Sequence, residues 1–146
     1  MTSLNIDQLK ECFESATRFL AVAEDLSQSL DGIVSGNMYP CVVNGAFACE
    51  LFLKTIIGAS DPNGVTKSHK NKELFSALNQ KTRESIEAEY LKNSDFPLDD
   101  LLDELDNAFI VWRYAYEQEV RSHYIALIAL GKALKKIAQR LLEQKG

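Results

Sequence analysis

The chain has 146 residues, enough for one domain, and its 46% hydrophobic content supplies one core but would starve two. Sixteen Lys and Arg against 21 Asp and Glu give a net charge of −5, which argues against sequence-independent binding to DNA or RNA through a broad basic surface. The N-terminus MTSLNIDQLK has no basic n-region followed by an apolar h-region, and no charge-free run approaches the ~20 residues of a membrane span, so a cytoplasmic protein without a membrane partner is expected.

Apolar residues recur at helical spacing from end to end, with no convincing period-two alternation, so the class expected is all-α. The first helix is predicted over about Ile6 to Leu30, where Leu9, Phe13, Ala16, Leu20, Ala23 and Leu30 step by threes and fours and Asn5 or Asp7 is placed to cap it. After a connector containing Gly32 and Gly36, Pro40 opens a second, strongly apolar helix that is expected to end near Ile57, before the loop-forming Gly58, Asp61, Pro62, Asn63 and Gly64.

This second helix carries the most informative residue. At about 100° per residue, Val43, Ala46, Phe47, Leu53, Lys54 and Ile57 all fall within roughly 60° of Glu50, which places a carboxylate in the middle of an apolar stripe. The other face holds Asn44, Gly45, Ala48, Phe52 and Thr55, small or mixed residues suited to meeting a second helix. An inward Glu50 needs Lys54, or an Arg or His from elsewhere, because an unpaired buried carboxylate costs several kcal/mol. The alternative is a Glu50 at the rim, paired with Lys54 one turn on.

Two short stretches follow, one around Leu74, Phe75 and Leu78 and one over Thr82 to Leu91. Pro97 then introduces a long helix predicted through Leu98, Leu102, Leu105, Phe109, Trp112 and Tyr116, with Asp99 and Asp100 at its positive N-terminal end. The final helix holds Leu127, Leu130, Leu134, Ile137 and Leu141, and its last turns carry Lys135, Lys136, Arg140 and Lys145. Gly131 weakens this helix by about 1 kcal/mol relative to Ala and implies close approach by another helix, within the bundle or across a dimer. A single domain over residues 1–146 is expected, an antiparallel four-to-five-helix bundle with a short helical insert between the second and third long helices.

Polar groups concentrate in three places. Arg113 and Glu117 are four apart at the edge of the Trp112 and Tyr116 stripe, so Arg113 can pair with Glu117 or reach Glu50, which its planar fork suits. Lys67, His69, Lys70 and Lys72 precede the first short stretch, either as a phosphate-facing corner or as a solvated loop. Arg121 and His123 stand at the entry to the last helix, with His123 a further candidate acid or base. Cys12, Cys41 and Cys49 are odd in number and lack CxxC spacing, and the two histidines are far apart, so neither a disulfide framework nor a metal site is expected. No phosphate-cradling glycine loop, HExxH or GxSxG occurs, and no cofactor is implied.

The segments AFACELFLKTII, SHKNKELFSAL and AFIVWRYAYE, in this order and spacing from roughly Tyr39 to the end, resemble the HEPN superfamily of small all-α domains in prokaryotic stress and defence systems. Ala48, Glu50 and Leu53-Lys54 match the family's second-helix pattern, His69 and Leu74 its next segment, and Arg113-Tyr114 its third long helix. The resemblance implies a homodimer and two kinds of function. Many members are metal-independent endoribonucleases built on an Arg, four to six residues, and a His. Here nine residues separate Arg113 from His123 and one separates Arg121 from it, and His69 follows no Arg at that distance, so the ribonuclease pair is not matched. Other members act without catalysis, often beside a nucleotidyltransferase-like protein. The expectation is therefore a non-catalytic, dimeric interaction or regulatory protein of the kind found in toxin-antitoxin or phage-defence pairs, in which Glu50, Lys54, His69, Arg113 and Glu117 form a structural or ligand-binding cluster. The alternatives are a divergent endoribonuclease using Arg113 with His123 or His69, and a nucleotide-binding module using Lys67, His69 and Arg113.

Overall fold

The computed structural model describes residues 4–28, 38–61, 64, 67–107 and 123–145, and within them the chain is all-helical. The helices are α1 (Ile6–Ser27), α2 (Met38–Ser60), α3 (Asn71–Ser76), α4 (Gln80–Leu91), α5 (Leu98–Asp106) and α6 (His123–Lys145). Trp112, Arg113, Tyr116, Glu117 and Arg121 lie outside the described residues, as does the predicted continuation of the Pro97 helix beyond Asn107.

Local chemistry explains several boundaries. Asn5 begins α1 with a reciprocal cap: its side-chain oxygen accepts from the Gln8 N–H at 2.9 Å, while Gln8 Oε1 accepts from the Asn5 N–H at 2.9 Å. Asn79 caps α4 by accepting from the Thr82 N–H at 2.8 Å, which extends that helix two residues ahead of its predicted start. The α5 helix stops at Asp106. Asn107 closes it, its N–H donating to Glu104 O and its side-chain amide to Asp103 O, so α5 ends after nine residues.

Three long helices make the core. Cys41 Sγ donates to Ala23 O and Cys12 Sγ to Leu51 O, each at 3.3 Å, and the rings of Phe13 and Phe52 meet edge-on at 5.7 Å, so α1 and α2 run antiparallel. Leu20 lies against Gly131 near one end of α1, and Leu9 packs with Leu142 near the other, so α6 is antiparallel to α1 as well. Glycine permits both close approaches of α6. A Cβ on Gly131 would stand 2.6 Å from Leu20 Cδ1, and one on Gly45 would stand 2.8 Å from Leu127 Cδ2. The contact implied by Gly131 therefore lies within the bundle.

Helix α2 is covered on nearly every side. Cys41, Val42, Ala48, Cys49, Phe52, Leu53 and Ile56 are fully enclosed, as is Thr55, whose hydroxyl donates to Leu51 O at 2.8 Å. Tyr39–Ser60 is long and apolar enough to cross a membrane by composition, and 67% of its most apolar window is buried inside the bundle. The smaller helices clasp this core: α3 sits between α2 and α5, and α4 lies along α6.

Candidate functional site

Glu50 stands at the edge of the buried face, with its side chain 15% exposed. The least buried strip of α2 includes Val43, Phe47, Glu50, Leu51 and Lys54, so the stripe expected to face inward is split: its Ala46, Leu53 and Ile57 are buried while its Val43, Phe47 and Lys54 are not. The deepest burial belongs to the small-residue side, with Gly45, Ala48 and Phe52, because small residues let α1 and α6 approach closely. Glu50 and Lys54 are equally enclosed at this edge, and Phe52 belongs to the core of the bundle.

Two side chains hold the Glu50 carboxylate. Lys54 Nζ lies 3.0 Å from Oε2, and His69 Nδ1 lies 3.1 Å from the same oxygen. The partners differ in kind: Lys54 is 15% exposed, whereas the His69 side chain is 81% exposed and reaches Glu50 from the segment ahead of α3. Glu50, Lys54 and His69 thus converge, as expected for a polar cluster. The proposed Glu50–Arg113 pairing and the place of Glu117 lie outside the described residues.

The segment after His69 is anchored by α5. Asp106 accepts from the Lys72 N–H at 3.3 Å, and burial raises its carboxyl above the ordinary range even though the N–H groups of Lys72 and Asn71 pull it down. Lys72 Nζ meets Asp103 at 2.7 Å, and this contact raises the exposed ammonium's pKa. An acid from α5 thus caps α3 where its own N-cap residue, Lys70, makes no side-chain cap. Asn71 is buried beside this junction. Its amide donates to Ala46 O at 3.5 Å, while its Oδ1 meets no donor.

His123 occupies a second polar site, remote in sequence from the first. Its Nδ1 lies 2.8 Å from Glu104 Oε2, and both atoms are sealed from solvent. Phe96 covers the imidazole, with ring centroids 4.4 Å apart, and its carbonyl accepts from Tyr90 Oη at 2.6 Å. Burial holds the Glu104 carboxyl above the ordinary carboxylate range despite the opposing pull of His123. Sequence spacing alone could not reveal this pair, because Glu104 and His123 are 19 residues apart with α5's end between them.

Burial pushes the three thiols up: Cys49 to about 12, Cys41 to about 11, and Cys12 in the same direction, partly offset by Thr55 and Lys54. None is poised as a nucleophile. No group of three or more His, Cys, Asp or Glu among the described residues is placed to hold a metal ion.

A third feature is an apolar strip on the outer side of α1 and α2. Phe19 and Phe47 lie ring to ring at 5.8 Å, and Phe19, Val22, Tyr39 and Phe47 are 36–44% exposed. Beside them a cavity of about 310 Å³ is lined by Ser15, Arg18, Phe19, Val22 and Asn44. No family model matches the chain, and no curated protein or solved structure is significantly similar to it.

Proposed function

We propose that this chain is a non-catalytic interaction or regulatory protein that works as a homodimer, a HEPN-like helical bundle joined through the outer face of α1 and α2. The observation that carries this reading is the strip of Phe19, Val22, Tyr39 and Phe47, four large apolar side chains left more than a third exposed on two adjacent helices. The charges beside it favour a second copy of the same chain. Glu14 and Arg18 stand 3.9 Å apart on α1, both well exposed, and antiparallel pairing of two α1 helices sets Arg18 of each copy against Glu14 of the other. In this reading Glu50, Lys54 and His69 fasten the α3 segment to α2 and do no chemistry. A nucleotidyltransferase-like protein in a stress or defence pair is the partner the family resemblance suggests. Sedimentation equilibrium tests the dimer: the wild type is expected at twice the chain mass and Phe19→Glu with Val22→Lys at the chain mass, whereas a strict monomer at high concentration overturns it.

One observation favours a second reading, a divergent metal-independent endoribonuclease. A buried carboxylate against Nδ1 orients an imidazole and leaves Nε2 for proton transfer, and Glu104 stands in that relation to His123. In such an enzyme Arg113 would bind the phosphate. Incubation of the purified protein with mixed RNA separates the two: cleavage abolished by His123→Ala supports the enzyme, and intact RNA under all conditions excludes it.

A further inference from the structure

Helix α6 carries a concentration of positive charge, Lys132, Lys135, Lys136, Arg140 and Lys145 against Glu143, on a chain whose net charge is −5. Glu89 of α4 is approached by three cations: Lys92 Nζ at 3.1 Å, Lys136 Nζ at 3.3 Å and Arg140 Nη2 at 3.5 Å. One carboxylate cannot neutralise all three. The hydrogen bond from Lys92, followed by the contact with Lys136, holds the Glu89 carboxyl below the ordinary range, and Arg140 makes the longest of the three contacts. A guanidinium has five N–H donors in a planar fork, and a single 3.5 Å contact leaves most of them unused.

Arg140 also lines a cavity of about 280 Å³ between the two helices. Lys81, Thr82 and Ser85 of α4 line one wall, and Ile137, Arg140 and Gln144 of α6 line the other. The arrangement combines a cation on each wall, two hydroxyls, an amide and a buried aliphatic floor at Ile137. No acid among the described residues lines the groove, and Glu84 accepts from Gln80 at 2.9 Å and Glu143 from Gln139 at 3.5 Å. Glu89 is not part of the lining and meets Arg140 at 3.5 Å. The volume is at the small end of the range for ligand sites.

We propose that this groove binds a small phosphate monoester, the phosphate held by Arg140 and Lys81 and the organic group laid against Ile137. Arginine's fork matches two phosphate oxygens at once and the Thr82 hydroxyl adds a further donor, whereas the Ser85 hydroxyl donates back to Lys81 O at 3.0 Å. The aliphatic floor gives an ester an advantage over inorganic phosphate. The site lies on different helices from the α1 face and does not depend on the proposed dimer.

Titration calorimetry with phenyl phosphate, inorganic phosphate and phenol tests both halves of the site. Saturable binding of phenyl phosphate at millimolar concentration is expected, tighter than either fragment. Arg140→Gln is expected to weaken it at least about tenfold, the scale of a lost charge-assisted contact, and Lys81→Gln with Thr82→Val to weaken it from the other wall. Lys92→Gln, which alters only the approach to Glu89, is expected to bind as the wild type does. Circular dichroism checks that these surface variants fold. The proposal is overturned if the wild type shows no saturable binding, if phenyl phosphate binds no better than inorganic phosphate, or if Lys92→Gln weakens binding as much as Arg140→Gln, which would mark diffuse charge attraction.

Discussion

His69 Nδ1 and Lys54 Nζ share one oxygen of Glu50, at 3.1 and 3.0 Å, yet the two contacts are unequal because Lys54 is mostly enclosed and His69 is mostly in water. Removing the carboxylate leaves a mostly enclosed ammonium without its counter-charge. Glu50→Gln is therefore expected to lower stability by about 1–2 kcal/mol in urea unfolding, and Lys54→Met in the same chain to recover part of the loss. His69→Gln is expected to cost no more than about 0.5 kcal/mol, as a solvent-screened pair should. A larger effect from His69 than from Glu50 would reverse this assignment.

The Glu104 carboxyl gives stability a definite pH dependence. Its pKa in the folded protein lies above the ordinary 4.5, so the folded state binds the proton more tightly than the unfolded chain does. The folded state is therefore disfavoured by the ionised carboxylate above the folded pKa and relieved as pH falls through that value toward 4.5. Wild-type stability relative to Glu104→Gln is expected to rise over that interval. Glu89 has the opposite sign: its carboxyl is held below 4.5, so the advantage of wild type over Glu89→Gln is present above 4.5 and fades as pH falls through the folded pKa. Unfolding curves of the two variants and wild type at a series of pH values check both slopes.

Gly131 and Leu20 are coupled by contact. A methyl group at 131 adds about 1 kcal/mol of helix propensity but collides with a Leu20 side chain that is already buried, so Gly131→Ala is expected to be destabilising on balance. Leu20→Ala alone is expected to cost about 2–5 kcal/mol. The double variant is expected to be more stable than the sum of the two singles implies, because the new methyl fills part of the space Leu20 vacates. Strict additivity in a double-mutant cycle would contradict the packing.

The thiols should report burial through reactivity. Cys41 and Cys49, with pKa values raised to about 11 and 12, are expected to resist iodoacetamide at pH 8 in the native protein, while Cys12 reacts slowly. All three are expected to react quickly in denaturant. Rapid native labelling of Cys49 would mean that α2 opens.

Much of this fold was legible because apolar spacing and capping residues act locally. Asn5, Pro97 and the apolar steps of α1 and α6 mark their helices with no knowledge of the rest of the chain. The facing of α2 was harder, because its sequence is apolar nearly all round and hydropathy cannot separate a deep face from a shallow one. Gly45 and Ala48 score as unremarkable, yet they make the closest side, and the bulk of Leu127 against Gly45 decides it. The partners of Glu50 were half visible: Lys54 follows from helical spacing, whereas His69 depends on how a loop folds back. The Glu104–His123 pair and the capping of α3 by Asp106 join segments remote in sequence, and local pattern carries no information about either.

The central claim, a dimer built on α1, is tested most directly by a crosslink. Ser15 lies beside Phe19 on the proposed interface, near the centre of an antiparallel α1 pair, while Ser85 lies on the α4 side. Under mild oxidation, Ser15→Cys is expected to give a covalent dimer on a non-reducing gel, and Ser85→Cys and the wild type are expected to remain single chains. Ser15→Cys behaving like the other two, or Ser85→Cys crosslinking as readily, would contradict the account.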